Sequence, residues 1–397
     1  MKSVLHTFKR ELDRIFRGGQ ARYLIYTTIG LAFCYVFFIT LMKDGQPTRL
    51  PIAIVDHDGS YLSRRLSHEI NATQGVEVVA IYDTHKEARE SMQRGEIFAF
   101  LEIPKDTYSG VLSFSRPHIA LYSNNAYLLS GSLSYRSLAT ISKLASGAVQ
   151  REILRKKGYD EQQIMGLIQP IELDTHLISN PTANYQPYVL TTMLPGMLGL
   201  MVVLLTSYMI GTDRKKGTLG EWLSHGLPGS WIGKMLPYTL WFTLLGVLGN
   251  IIMYGWCGYT MLGNFWIIVL DTLLLVLAMQ STATFLAGLI PEPHLSTCVC
   301  AIYGTLAFTM SGFSYPVSSM PSFLQGFSMI FPLRHYYLAG SKVSMFGCGL
   351  ADCWMHLLIL FAFQVMGLVG LLLLHKQTKG GFYKFTDGQL KETIKEI

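Results

Sequence analysis

Apolar positions in this chain are bunched into runs free of Asp, Glu, Lys and Arg: Tyr23–Met42, Val189–Gly211, Met235–Gly263, Ala278–Pro291, Leu295–Leu333 and Trp354–Leu374. A helix needs about 20 apolar residues to cross a hydrocarbon core about 30 Å thick, so each run holds a span or most of one. The pattern predicts an α-helical polytopic membrane protein with six transmembrane helices. The third and fourth come from the stretch between Lys234 and Glu292, turning near Thr260–Asn264. The fifth begins after Pro291-Glu292-Pro293 and ends near Ser311–Pro316. Buried helices of a large soluble core are the plain alternative, but such cores rarely sustain uncharged runs of this length repeatedly.

The stretch between the first two spans reads differently. Lys43–Tyr188 has ordinary soluble composition, and its first half alternates strand-like and helix-like segments. Strands are predicted at Pro51–Asp56, Val76–Tyr82, Ile97–Ile103 and His118–Tyr122, with helices at Tyr61–Ala72 and His85–Arg94 between them. Leu138, Ile141, Ala145, Val149 and Ile153 then recur at spacings of three and four, predicting one long helix from about Leu129 to Lys157. The alternation predicts an α/β extracytoplasmic domain inserted between the first and second helices. The domain plan is therefore 1–22 as an amphipathic connecting helix, 23–42 as the first span and 43–188 as the external domain. Residues 189–376 form a five-helix region with a cytoplasmic loop at 212–234 and an outer re-entrant region at 316–353, and 377–397 form a cytoplasmic tail.

Charge fixes the expected orientation. Only 15% of residues are charged, well below the ~25% of soluble domains. The excess of Lys+Arg (32) over Asp+Glu (26) gathers before the first run, after the second and after the last. Under the positive-inside rule these three segments, both termini included, face the cytoplasm of an inner (plasma) membrane. The basic surplus is thereby assigned to lipid headgroups, with no nucleic-acid footprint. The first run is read as a retained anchor: its basic leader is long and Leu41-Met42-Lys43-Asp44 lacks a small-residue cleavage pattern. Val4, Leu5, Phe8, Leu12, Ile15 and Phe16 give that leader an apolar face suited to the membrane interface.

Candidate chemistry is sparse. Asp56-His57-Asp58-Gly59-Ser60 suggests a metal or catalytic site, but a strand-to-helix turn capped by Asp or Ser accounts for it more simply. Cys348 and Cys353 share the outer loop, where a disulfide is permitted, and are a candidate pair. The other four cysteines fall in spans and read as small apolar filler. Among ionisable residues only Asp271 and His356 lie inside runs or at their edges. Each costs at least a few kcal/mol to bury in a bilayer, and the choice is between an interfacial or structural role and contact with a substrate.

The most informative cytoplasmic stretch is Asp213-Arg214-Lys215-Lys216-Gly217-Thr218-Leu219-Gly220-Glu221-Trp222-Leu223. It leaves the membrane, turns at Gly217, and offers Leu219, Trp222 and Leu223 on one side of a short helix capped by Thr218. Such a helix suits docking to a partner; a solvated loop with snorkelling basic chains is the plain alternative. This segment, followed by Gly233-Lys234-Met235-Leu236-Pro237-Tyr238, resembles the acidic-x-x-x-Gly-Thr-x-x-Glu-x-Leu and Gly-Lys-x-x-Pro-Tyr pattern of ABC transporter permeases of the type 2 membrane family. Pro51–Ser60, Ser63-Arg64-Arg65-Leu66 and Ile103-Pro104 are similar to that family's external domain. Ser311-Gly312-Phe313-Ser314-Tyr315-Pro316, Met320-Pro321 and Phe331-Pro332-Leu333 are similar to its signature after the fifth span. Gly220 and the basic run Arg214–Lys216 depart from the more acidic and polar residues usual there.

The resemblance implies a six-span exporter subunit with a coupling helix formed by Gly217, Thr218, Leu219, Glu221, Trp222 and Leu223. It implies an ABC ATPase subunit as partner, a second copy of the chain or a paralogous permease, and a periplasmic membrane-fusion adaptor in some systems. Ser311, Gly312, Phe313 and Pro316, together with Asp271, are the candidate gate or substrate path. The chain is expected to bind no cofactor itself, ATP and Mg belonging to the partner ATPase. The residues agree with that last point. A P-loop needs glycines that wrap phosphate, then Lys, then Ser or Thr, whereas Pro228-Gly229-Ser230-Trp231-Ile232-Gly233-Lys234-Met235 has Pro first and Met last. An ion-coupled secondary transporter is the main alternative, but such carriers usually bury several charged groups in their spans. A membrane-anchored envelope adaptor or sensor leaves five spans unexplained. An intramembrane hydrolase needs a paired catalytic set at bilayer depth, which the sequence lacks.

Overall fold

In the computed structural model the described residues are 2–113, 115–171, 173–176, 178–180, 184–223 and 226–379. They form two compact units, Met1–Lys43 with Leu177–Ile397, and Asp44–His176. In chain order the first unit opens with α1 (Lys2–Phe16) and α2 (Ala21–Leu41). The second unit comprises β1 (Leu50–Asp56), α3 (Tyr61–Asn71), β2 (Val76–Tyr82), α4 (His85–Gln93), β3 (Ala99–Ile103), α5 (Thr107–Leu112), β4 (Ala120–Ser123), α6 (Leu128–Lys156) and α7 (Glu161–Ile168). The first unit resumes with α8 (Tyr185–Lys215), α9 (Leu219–Leu223), α10 (Leu227–Ile251), α11 (Phe265–Leu289), α12 (Pro293–Met310), α13 (Ser322–Ser328), α14 (Pro332–Phe346) and α15 (Leu350–Lys379).

The sheet of the Asp44–His176 unit has the order β2-β1-β3-β4, with β1 parallel to β2 and β3, and β4 antiparallel to β3. Central β1 carries Ile52, Ala53, Ile54 and Val55, all fully buried, because both faces are covered. Ile52 and Ile54 pack with Leu66, Ile70 and Leu138 of α3 and α6; Ala53 and Val55 pack with Ala88 of α4. Local chemistry starts the helices: Ser60 accepts from the Ser63 N–H, Thr84 accepts from the Glu87 N–H, and Asp160 with Gln163 forms a capping box on α7. The turn explanation of Asp56–Ser60 describes what is found. Asp56 Oδ1 accepts from the Asp58 and Gly59 N–H groups, each at 3.0 Å, and Ser60 caps α3. Among the described residues no His, Cys, Asp and Glu cluster is arranged to hold a metal ion.

Among the described residues of the other unit five helices are long and apolar enough to cross a membrane: Ala21–Leu41, Tyr185–Lys215, Leu227–Trp256, Phe265–Leu289 and Leu350–Thr378. The helix expected as the fifth span, α12, falls outside these five. It has 18 residues and spends its first turns on Pro293, His294, Ser296 and Thr297. Buried α11 is the hub, packing on α8, α10, α14 and α15, with Leu275, Ala278, Gln280 and Ala283 fully buried. By contrast α2 lies at the rim and leaves Ile25, Ile29, Phe33, Val36 and Phe37 exposed, as a lipid-facing or partner-facing helix must. Residues 317–346 carry a short 3-10 turn, α13 and α14, and α14 packs on α11 and α15. The tail assigned to 377–397 lies outside the described residues beyond 379.

Candidate functional site

Amphipathic α1 lies along the start of α10, and two glycines let it come close. A Cβ on Gly233 would stand 2.5 Å from the Val4 carbonyl oxygen and 3.0 Å from Thr7 Cβ, and one on Gly229 would stand 3.3 Å from Ser3 Oγ. The buried face of α1 is Thr7, Glu11 and Ile15, at 4%, 2% and 5% exposure, one helical turn apart. This rotates the expected apolar face. Val4, Phe8 and Leu12 are half-buried, whereas Leu5 and Phe16 are exposed.

A carboxylate on that buried face needs partners, and the fold supplies them. Lys234 of α10, 1% exposed, stands 2.6 Å from Asp213 Oδ2 at the end of α8 and 3.3 Å from Glu11 Oε2. Arg14 of α1 reaches Asp213 Oδ1 at 2.9 Å and Glu11 Oε2 at 3.5 Å. Two acids and two bases thus alternate in one buried cluster with no net charge. Hydroxyls and an amide complete it: Tyr238 donates to Glu11 Oε1 (2.8 Å), with Gln20 Oε1 3.3 Å from the same hydroxyl, and Arg14 donates to Thr218 Oγ1 (3.1 Å). Burial pulls the Arg14 pKa down, but Asp213 and Glu11 outweigh it and hold the guanidinium above its ordinary value. Buried charges cost several kcal/mol each unless fully paired, so these four side chains fix one another's positions.

The segment after Asp213 is built onto this cluster. The Gly217 N–H donates to the Arg214 carbonyl and the Thr218 N–H to the Asp213 carbonyl, closing α8 in a Schellman turn with Gly217 at φ +69°. Thr218, expected as the cap of α9, has its hydroxyl within 3.4 Å of both the backbone carbonyl and Oδ1 of Asp213. Leu219 and Leu223 are each 2% exposed and pack on Ile210, Trp231, Met235 and Leu371. The two leucines therefore anchor α9 to its own bundle, while Gly220 and Glu221 face outward. Trp222 belongs to the same helix; its side chain lies outside the described part. Glu221 is paired with Arg10 of α1, so α9 and α1 are bridged again at the surface. Beside them Arg214, 3% exposed, donates to the carbonyls of Ala287 (2.8 Å), Ile290 (2.9 Å) and Pro291 (2.5 Å) and to Gln377 Oε1 (2.6 Å). One guanidinium thus satisfies the orphan carbonyls at the end of α11 and ties it to α8 and α15.

The remaining candidates are scattered. Ser311 is fully buried and donates to the Phe308 carbonyl, Gly312 turns at φ +95°, the Phe313 carbonyl accepts from the Tyr188 hydroxyl, and Pro316 leads into the short 3-10 turn. Asp271 sits in α11 with both carboxyl oxygens buried and without a hydrogen-bond partner; a Cβ on Gly340 of α14 would be 3.7 Å from Oδ2. His356 stands beside His335, ring centres 5.9 Å apart. Cys348 and Cys353 stand as separate thiols in this structure, and Cys353 is buried with its sulfur turned to the Ala339 carbonyl at 3.8 Å. Sequence reasoning missed the four-charge cluster. Its one local signal was Glu11, which shares a helix face with Thr7 and Ile15 instead of with Asp13.

The family model described as ABC-2 family transporter protein matches residues 21–373. A relative in Escherichia coli (strain K12), the probable multidrug ABC transporter permease YbhR, is 22% identical over 336 residues, covering 83% of this chain and 86% of that protein. The inner membrane transport permease YhhJ of the same strain is 22% identical over 331 residues, covering 82% and 85%.

Proposed function

This chain belongs to the ABC-2 family of transporter proteins, and we propose that it is the membrane subunit of an ATP-driven exporter whose motor is a separate polypeptide. Its class, a multi-pass ABC transporter permease, implies an ATPase partner and a dimer. The finer reading is a dimer of six-span subunits, the spans being α2, α8, α10, α11, the shorter α12 and α15, with α1, α9 and the chain's end at the cytoplasmic face and residues 44–176 outside. The second subunit is a copy of this chain or a paralogue, and an envelope adaptor is the expected partner of the external unit.

The single observation carrying the mechanism is the buried cluster of Glu11, Arg14, Asp213 and Lys234, with α9 seated on the same bundle end. Force from an ATPase on the outward side of α9 reaches the ends of α8 and α10 through contacts that cannot slip, since displacement would leave buried charges unpaired. Closure of two ATPases then moves spans α2, α8 and α12 against their symmetry mates. The cargo is a hydrophobic or amphipathic molecule such as a drug, lipid or peptide. Two facts favour that class: the apolar exposure along α2, and a relative whose name speaks of multidrug transport.

Orientation is tested by single cysteines in a Cys-free background, labelled with a membrane-impermeant reagent in intact spheroplasts. Lys143→Cys is expected to react and Gly220→Cys to react only after lysis. Labelling of Gly220→Cys before lysis would sink the reading. Affinity purification in detergent tests the motor: a P-loop ATPase should co-purify with the permease.

A further inference from the structure

A second feature of the α8 terminus has no part in the charge cluster. Where the α1–α2 turn passes α8 and the start of α12, the structure holds a cavity of about 360 Å³. Arg22, Lys215, Lys216 and His294 line it together with Tyr23 and Tyr208. Among the described residues no carboxylate lines it. The nearest acid in sequence, Glu292, is spent on the backbone N–H groups of His294 and Leu295 at the start of α12. Asp213 is turned away into the cluster with Lys234 and Arg14.

Arg22 is held in place by a hydrogen bond that does not neutralise it. Among the described residues neither Arg22 nor Lys216 forms an ion pair; Arg22 donates to the Tyr23 hydroxyl at 3.0 Å and lies 4.9 Å from that ring's centre. Tyr208 donates in turn to Tyr23 at 2.9 Å, so this wall is a fixed chain of hydrogen bonds. Lys215 Nζ stands 2.8 Å from His294 Nε2, an ammonium donating to a neutral imidazole nitrogen that holds it in place. The three positive charges of Arg22, Lys215 and Lys216 repel one another around the cavity, and an anion between them relieves the repulsion while gaining charge-assisted hydrogen bonds. The first turn of α2 opens beside them with no side-chain cap, which adds a smaller attraction of the same sign.

We propose that this cavity binds the phosphate headgroup of an anionic phospholipid from the cytoplasmic leaflet, with its acyl chains running along the apolar surface of α2. The assignment rests on the orientation above, which sets this end of the bundle at headgroup level. A lipid satisfies both halves of the site at once: phosphate meets Arg22, Lys215, Lys216 and His294, and the glycerol and first methylenes meet Tyr23 and Tyr208. Free inorganic phosphate would use only the first half. Arginine makes the bidentate contact for which a phosphate is shaped, and the lysines act as point charges around it.

The test uses the purified full chain in a neutral detergent, titrated with phosphatidylglycerol or phosphatidylcholine and read by native mass spectrometry. Phosphatidylglycerol is expected to bind in preference to phosphatidylcholine, and the double variant Arg22→Gln/Lys216→Gln to lose about tenfold or more of that affinity, each cation near an anionic lipid being worth a several-fold factor. Arg136→Gln/Lys143→Gln, which removes the same charge from the other unit, should bind like the parent. Unchanged affinity in the first variant, or an equal loss in the second, overturns the site. Displacement of the lipid by excess inorganic phosphate overturns the lipid assignment in favour of a free anion. Both variants are checked for monodispersity and co-purification of the ATPase, with Arg22→Lys/Lys216→Arg as a charge-preserving pair that should restore binding. Labelling of Gly220→Cys from outside would fail the orientation reading independently of whether lipid binds.

Discussion

Replacing Lys234 with methionine is expected to destabilise the permease by about 3–5 kcal/mol, the usual consequence of removing one member of a buried ion cluster. Lys234 is 1% exposed and serves Asp213 and Glu11 together, so its loss leaves two buried carboxylates sharing only Arg14. Methionine preserves most of the side-chain volume, which isolates the charge from a packing defect. The damage should be partly repaired by adding Glu11→Gln, which returns the cluster to neutrality and leaves Asp213 with Arg14. Thermal unfolding of purified protein, arranged as a double-mutant cycle, measures this: a coupling of more than about 1 kcal/mol is expected between the two sites. Additive effects, or a single substitution costing under about 1 kcal/mol, would mean that the cluster does not hold α1 and α10 together.

The second large effect is expected at Gly217. Proline there fixes φ near −65°, whereas the Schellman turn needs +69°, and it removes the N–H that donates to the Arg214 carbonyl. Nothing lies within 4 Å of a Cβ built at this glycine, so the penalty arises from the backbone and not from crowding. Alanine is therefore the graded control, costing about 1–2 kcal/mol for a left-handed residue. Gly217→Pro should insert into the membrane and purify as a folded protein, yet show at least a tenfold loss of transport-coupled ATPase stimulation, because α9 leaves α8 in the wrong direction. Glu221→Ala, which removes a surface pair and not a backbone turn, should have a smaller effect in the same assay. Full stimulation by Gly217→Pro would remove α9 from the coupling route.

The parts of this fold that the sequence announces are those set by near neighbours. β1 and β2 fall where short β-branched runs predict them, and α3 begins at Ser60 because the capping chemistry is contained in four residues. The long helix α6 follows from the stripe through Leu138, Ile141 and Ala145. What could not be read was decided across distance. Lys234 and Arg14 look in sequence like ordinary positive-inside charges, and only the approach of α1 to Gly233 converts them into buried partners of Asp213 and Glu11. Leu219 and Leu223 form an amphipathic face either way. Periodicity tells that a face is apolar; it does not tell whether the surface covering it belongs to another protein or, as here, to Trp231, Met235 and Leu371 of the same chain. The α7 segment is eight residues long, too short for its period to stand out against the loop around it.

The two ties between α1 and the α8–α10 segment differ in one further respect. Arg10–Glu221 is a surface pair, with side chains 34% and 56% exposed, whereas in the cluster Glu11, Asp213 and Lys234 are buried and only Arg14 reaches solvent, at 19%. Mobile ions screen exposed charges over a Debye length of about 8 Å at physiological ionic strength, but screen buried pairs much less. Ionic strength therefore acts as a selective reagent on this joint. High salt loosens the outer tie and frees the rim of α9, while the inner one, largely buried and electrically neutral, keeps α1 seated, so the helix is fastened by one bolt that dissolved salt can turn and one that it barely grips.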